Sequence, residues 1–218
     1  MISEINTTPS LPREVLDVPK EFIDAGAPPI PVLAPPYSCE RIAEDSPEAA
    51  LVAEWMNRPH LAATWEFPES EEWWRSRIAA QNTGTYSLPL LLRIDGVPAA
   101  YIELYRPGRD VIGATYDARP DDIGIHIGFG DPAHSGQGHA RATLAHFFSQ
   151  LALDYPQCCR IVFDPDHRNT AARTTALKAG AVDCGIHEFP NRTFNLLVLC
   201  RSEADTPVVN PKRLVVSP

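Results

Sequence analysis

A chain of 218 residues, 44% hydrophobic and 22% charged, suits one globular domain with a substantial core. Its formal net charge of −9 excludes broad nucleic-acid binding and disfavours anionic membranes, and no apolar run approaches the roughly 20 residues of a membrane span. Five cysteines, an odd number without C-x-x-C spacing, read as reduced thiols, and the start lacks a basic-then-apolar leader, so the expected location is the cytoplasm.

The 22 prolines cluster early, and "APPIPVLAPPY" forbids a regular helix or an inner strand, so residues 1–35 read as a proline-rich arm leading to a first strand near "SCERIA". Ser46 is placed to cap a helix that Pro59 stops, and "ESEEWWRSRIAAQN" predicts a second helix with acidic residues in its first turn. Two apolar runs flank Asp95-Gly96, a hairpin signal. In "DIGIHIGFGD", Ile123, Ile125, Ile127 and Phe129 fall on one face and Gly124, His126 and Gly128 on the other. A glycine turn then leads into a helix with an apolar stripe of Leu144, Phe147, Phe148 and Leu151. "CRIVFD" reads as a buried strand, "NTAARTTALKAG" as a helix ended by Gly180, and two last strands meet at Pro190-Asn191-Arg192. Residues 201–218 form a tail. The order predicts a mixed α/β sheet.

Two segments carry candidate chemistry. The turn Ser135-Gly136-Gln137-Gly138-His139-Ala140, with Arg141 behind it, opens a helix where backbone N–H groups converge and the helix dipole is positive. A pyrophosphate suits such a nest, although a glycine turn without a ligand fits the pattern as well. The segment "FDPDHRN" brings Asp164, Asp166 and His167 together, at first sight a metal site. A metal needs three or four converging ligands, and the other histidines are scattered without H-x-x-x-H spacing, so no metal is expected. Asp164 instead ends a strand, where sheet crevices bind substrates, and Asn169 starts the next helix. His126 lies between two small glycines that leave room beside it.

The glycine turn, the helix after it, the next strand and Asn169 resemble the acyl-CoA core of the GNAT superfamily, in which the turn reads Arg/Gln-x-x-Gly-x-Gly/Ala. Gly138 and Ala140 match, whereas Ser135 replaces the leading residue. Asn169, Ala172 and the stop at Gly180 match the later helix, but Ala176 stands where the family carries a tyrosine, commonly the acid for the departing thiolate. "EWMNRPHLAATWE", "IGIHIGF" and "RIVFDPDHRNTAARTTALKAGA" are similar to the siderophore N-acyltransferases of that superfamily, in wording nearest those acting on lysine in mycobactin synthesis. The resemblance covers about residues 36–200 and implies the GNAT fold, a central, mostly antiparallel mixed sheet with splayed strands flanked by helices. It implies transfer of an acyl group from acyl-CoA, or from an acyl carrier protein, to the side-chain nitrogen of lysine or N6-hydroxylysine, with no permanently bound cofactor.

The catalytic positions carried over are His126 and Asp164. Asp164 is expected to accept the proton of the attacking nitrogen while His126 contacts the substrate and tunes that carboxylate; the opposite assignment is chemically reasonable, and the sequence leaves both open. Backbone N–H groups of Ile127–Phe129 are expected at the thioester carbonyl, residues 135–141 and Asn169 at the coenzyme, and Trp65, Glu66, His126 and Glu103 at the acceptor. Two alternatives stay open: an aminoglycoside 6′-N-acetyltransferase, and a non-catalytic acyl-CoA-binding module.

Overall fold

The computed structural model describes residues 11–65, 67–131 and 138–210. Seven strands form one sheet: β1 (Tyr37–Arg41), β2 (Ser87–Ile94), β3 (Val97–Tyr105), β4 (Ile123–Phe129), β5 (Arg160–Phe163), β6 (Val182–Phe189) and β7 (Arg192–Cys200). Their spatial order is β1-β2-β3-β4-β5-β7-β6. Six helices accompany them: α1 (Lys20–Asp24), α2 (Pro47–Met56), α3 (Pro59–Ala62), α4 (Glu71–Thr83), α5 (His139–Asp154) and α6 (Thr170–Lys178).

Local chemistry sets the boundaries. Asp95 and Gly96 both have positive φ, 50° and 78°, which gives the β2–β3 hairpin a turn whose twist matches its strands. Ser70 caps α4 by accepting from the Trp73 amide at 3.2 Å, and Asn169 caps α6 by accepting from Ala172 N–H at 3.1 Å. Gly180, at φ +99°, ends α6 in the left-handed conformation that favours glycine. Pro59 ends the path of α2 as expected, but it also opens the short α3. A proline lacks only an N–H that a first helical turn leaves unused.

The sheet is antiparallel except where β4 meets β5. That pair is parallel and holds only at Ile123↔Ile161 and Gly124↔Val162; beyond Gly124 the strands part. The alternation of side chains then divides the core. Leu90, Ile102, Ile125, Ile161 and Phe163 pack on one face beneath Leu144, Phe147 and Leu151 of α5. On the other face Leu91 and Tyr101 meet α2 and α4 through Met56, Trp74 and Ile78, while Tyr105 packs with Val162 and Phe194.

Residues 11–35 lie across the sheet as a strap, and they include the helix α1 that the proline content did not announce. Leu11 and Leu33 are buried in two different core clusters, each contributing about 2 kcal/mol by leaving water. Glu14 bridges to Asp110, and Val15 N–H donates to Arg109 C=O at 2.8 Å. Arg106, almost fully buried, donates to the carbonyls of Ala25, Gly26 and Ala27 at 2.9–3.1 Å. Those three carbonyls follow α1 directly, so the guanidinium helps tie that helix down, together with the Phe22 ring packed against Gly108. Arg106→Met should cost at least about 3 kcal/mol in urea denaturation and expose residues 20–30 to protease while the sheet is still folded.

Candidate active site

The period of two along β3 and β4 puts Tyr101, Glu103 and Tyr105 on the same face as Gly128, His126 and Gly124, each opposite its partner. In β5 the same alternation places Arg160 and Val162 on this face and Asp164 just past the strand end. Because β4 and β5 have parted by then, His126 and Asp164 approach across the open seam, with His126 Nε2 2.8 Å from Asp164 Oδ1.

Asp164 is the most heavily bonded side chain in the site. Oδ1 also contacts Tyr105 OH, which donates to it at 2.5 Å. Oδ2 accepts from Arg13 Nη2 at 2.6 Å and forms an ion pair with Arg192 Nη2 at 3.0 Å, while Arg192 Nη2 donates its hydrogen bond to the Asp164 main-chain carbonyl. Burial alone would raise this carboxyl, but the charges of Arg13, His126 and Arg192 outweigh it and hold the group well below the usual carboxylate range. On the far side of the ring, His126 Nδ1 lies 3.1 Å from Glu103 Oε2. Glu103 Oε1 is held by Arg77 at 2.9 Å and Gln81 at 2.6 Å, both from α4. Burial pushes Glu103 up, yet Arg77 and His126 bring it down to about 2, so it is a fixed anion at neutral pH. Burial lowers His126, and the two carboxylates overcome that and raise it above its ordinary value.

A cavity of about 790 Å³ runs through the seam. On one side it is walled by Ile125, Ile127, Leu144, Phe163 and Ala176, and reaches Gly138, Ala140 and Arg141 at the start of α5. On the other it is walled by Leu61, Trp65, Phe67, Glu103, His126 and Arg13. Such a volume is typical of a small-molecule site. Gly130 N–H donates to Ala99 C=O at 3.0 Å. Donors alternate in direction along an antiparallel ladder, so the amides of Ile127 and Phe129 point to the β5 side, into the seam.

The structure thus brings together most of the residues singled out in the sequence, with one difference in role. The space beside His126 that Gly124 and Gly128 create is filled by rings. A Cβ on Gly124 would lie 2.1 Å from the Tyr105 ring, and one on Gly128 would lie 3.0 Å from Trp65. Tyr105 stacks on His126 with centroids 4.6 Å apart, and Trp65 meets it edge-on at 5.9 Å. Glu103 reaches the cavity, but its oxygens are committed to His126, Arg77 and Gln81. Asn169 lies at the cavity wall as the cap of α6, and Arg141 is exposed at the first turn of α5. The His139 ring turns to Tyr37 OH, 3.2 Å away. The expectations for Glu66, Ser135, Gly136 and Gln137 lie outside the described residues. Sequence reasoning missed Arg13, Tyr105, Arg192 and Arg77. Tyr105 was within reach, since it shares the period-two face of Glu103; Arg13 is 151 residues from Asp164 and carries no local signal. Among the described residues no group of three or more histidine, cysteine or acidic side chains could hold a metal ion, and no helix is long and apolar enough to cross a membrane.

Comparison with known proteins fits this geometry. The family profile described as an acetyltransferase (GNAT) domain matches residues 45–189. The lysine N-acyltransferase MbtK of Mycobacterium sp. (strain MCS) is 42% identical over 199 residues, covering 91% of this chain and 81% of that protein. The N(6)-hydroxylysine O-acetyltransferase of Escherichia coli is 27% identical, covering 77% of this chain and 53% of its own. Among solved structures, the aminoglycoside acetyltransferase AAC(6′)-Ib in complex with coenzyme A superposes with a TM-score of 0.64 at 22% identity, covering 76% of this chain and 95% of that one, a likeness of fold.

The two glycines beside His126 should differ in tolerance. Gly124→Ala drives a methyl into a fully buried ring, and is expected to lower stability by about 1–3 kcal/mol and disrupt the His126–Tyr105 stack. Gly128→Ala meets a half-buried tryptophan at a looser distance and should cost less than half as much in the same thermal melt.

Proposed function

Because the chain belongs to the GNAT acetyltransferase family, we propose that it is an N-acyltransferase acting on the side-chain N6 nitrogen of lysine or N6-hydroxylysine, in the making of mycobactin-type siderophores. The identity to lysine N-acyltransferase MbtK over most of both chains supports the acceptor class. The donor is an acyl thioester, of coenzyme A or of an acyl carrier protein, and it leaves after each turnover.

In this reading the coenzyme enters on the α5 side. Its pyrophosphate sits at the helix N-terminus, on the amides of Gly138 and Ala140, with Arg141 near the phosphates and Asn169 at the cavity edge. The thioester crosses the seam so that its carbonyl oxygen meets the Ile127 amide. This donor is aimed before the reaction starts, and it stabilises the oxygen as it gains charge. The acceptor comes from the opposite face, between Trp65 and His126. Its nitrogen attacks the carbonyl carbon, and the tetrahedral adduct collapses by expelling the thiolate.

The observation that carries the mechanism is one of access. The His126 side chain is 18% exposed, in the cavity, whereas that of Asp164 is 0% exposed. Around the Asp164 carboxylate, Tyr105 OH and Arg13 Nη2 donate, Arg192 Nη2 forms an ion pair, and the His126 ring covers the remaining approach. The incoming nitrogen therefore meets His126 Nε2, not Asp164. Glu103 holds Nδ1–H, which leaves Nε2 to take the proton, and Asp164 then accepts a hydrogen bond from the imidazolium. A buried carboxylate orienting a histidine base is the logic of hydrolase triads. The proton gained by His126 balances the charge of the departing thiolate; at Ala176 no side-chain donor is available to it.

The test is thiol release from acetyl-, decanoyl- and palmitoyl-CoA with lysine, N6-hydroxylysine or kanamycin, each product confirmed by mass. Turnover with a lysine-type acceptor is expected, and turnover confined to kanamycin would reassign the enzyme. His126→Gln should lower kcat by about 10²–10⁴-fold with little effect on acyl-CoA binding. The base works only when unprotonated, so kcat/KM should rise with pH through a midpoint above the ordinary histidine value of 6.5 and be lost below it.

A further inference from the structure

The atom Nε2 of His126 has two neighbours that demand opposite proton states. Asp164 Oδ1, at 2.8 Å, is an ionised acceptor and needs a proton on Nε2. Arg13 Nη1, at 3.3 Å, can only donate, and its hydrogen bond needs a bare lone pair there. Arg13 is itself fixed in place. Its Nη2 donates to both Asp164 and Asp110, its Nε lies 3.3 Å from Asp110 Oδ1, and its side chain is 12% exposed. Asp110 is in turn held by Tyr86 OH and by the amide of Ile112.

We infer that Arg13, carried by the N-terminal strap, is a positioning residue of the acyl-transfer centre: its Nη2 holds Asp164 while its Nη1 opposes, at Nε2 of His126, the two carboxylates that favour a proton there. The inference rests on His126 as the proton acceptor. The groups facing the ring make the need for such a counterweight plain. Glu103 from β3 and Asp164 at the end of β5 both favour the imidazolium. Tyr105 covers one ring face without charge, and Trp65 presents an edge. Behind them Arg77 and Gln81 hold Glu103, while Arg192 holds Asp164. Among the described residues Arg13 is the cation within hydrogen-bond distance of the ring itself. Without it the two anions would hold the proton on the ring still more firmly. Arg13 also lies outside residues 45–189, the stretch matched by the general family profile. The strap therefore supplies the site with a group that the matched domain does not contain.

The experiment compares wild type, Arg13→Gln and Arg13→Lys by two readouts: the pH profile of kcat/KM with N6-hydroxylysine and a fixed acyl-CoA, and the titration of His126 in ¹⁵N-histidine NMR spectra. Removing a neighbouring positive charge stabilises the imidazolium, so Arg13→Gln should move both midpoints up by about one pH unit and lower kcat/KM near pH 7 by about tenfold. Arg13→Lys keeps the charge but loses the fork, and should hold the midpoint near wild type with a reduced kcat. A purely structural role predicts a lower melting temperature with both midpoints unmoved in Arg13→Gln, and that result overturns the inference. If Arg13→Gln does not fold, Arg13→Lys decides: a kcat equal to wild type overturns it. Failure of the underlying mechanism looks different. An NMR midpoint that moves while the kinetic one stays would remove His126 as the proton acceptor, and with it the catalytic meaning of Arg13.

Discussion

Everything in the site depends on keeping one buried carboxylate ionised. Asp164 sits where water does not reach, a place that would ordinarily drive a carboxyl to its neutral form. It is kept charged by Arg13 from the strap, Tyr105 from β3, His126 from β4 and Arg192 from β7. Four separate elements must therefore be correctly placed before the charge is tolerable. Losing any one cation would leave a desolvated anion partly uncompensated, among the more expensive defects a fold can carry. The same arrangement makes Asp164 a poor proton acceptor and a good partner for an imidazolium.

The second constraint is the divided sheet. Were β4 and β5 paired along their length, Ile127 would spend its amide on the next strand and the two faces would be sealed from each other. Two paired residues on each strand are enough to hold the halves together, and the parting beyond them opens a passage from one face to the other. In the proposed reaction a thioester arriving over α5 and an amine arriving over α3 would meet in that passage. The fold thus fixes the line of attack before any side chain is considered.

Much of this was legible in the sequence. The alternation in "IGIHIGF" placed His126 and its glycines on the correct face, and Asp95-Gly96 marked the hairpin. The strand-end position of Asp164 followed from "CRIVFD" and the turn behind it. These signals are local: each is written in a few adjacent residues whose period or φ preference admits one reading. The misreadings have physical causes as well. Glycines flanking a histidine indicate space, but not whether a substrate or a ring from the next strand fills it, and here Tyr105 and Trp65 do. Proline density marked residues 1–35 as irregular and said nothing of where they pack. Arg13, Arg192 and Arg77 look like ordinary surface cations in sequence, since what distinguishes them is a carboxylate brought near by tertiary structure alone.

The bond from Arg13 to Asp164 joins positions 151 residues apart, and the ion pair from Arg192 closes the same carboxylate from the C-terminal side. Contacts of such long range are the costliest to form in loop entropy and belong late in a folding sequence. Arg13 leaves the ribosome before its partners Asp110 and Asp164 do, and Arg192 follows later still. Synthesis therefore runs past Arg192 before the chain can hold its buried charge. The hairpin and the α2–α4 layer, whose contacts are short in sequence, have no such wait. A newly made molecule would pass through a stage with its scaffold in place and its reaction centre unassembled, and catalytic competence marks the close of folding.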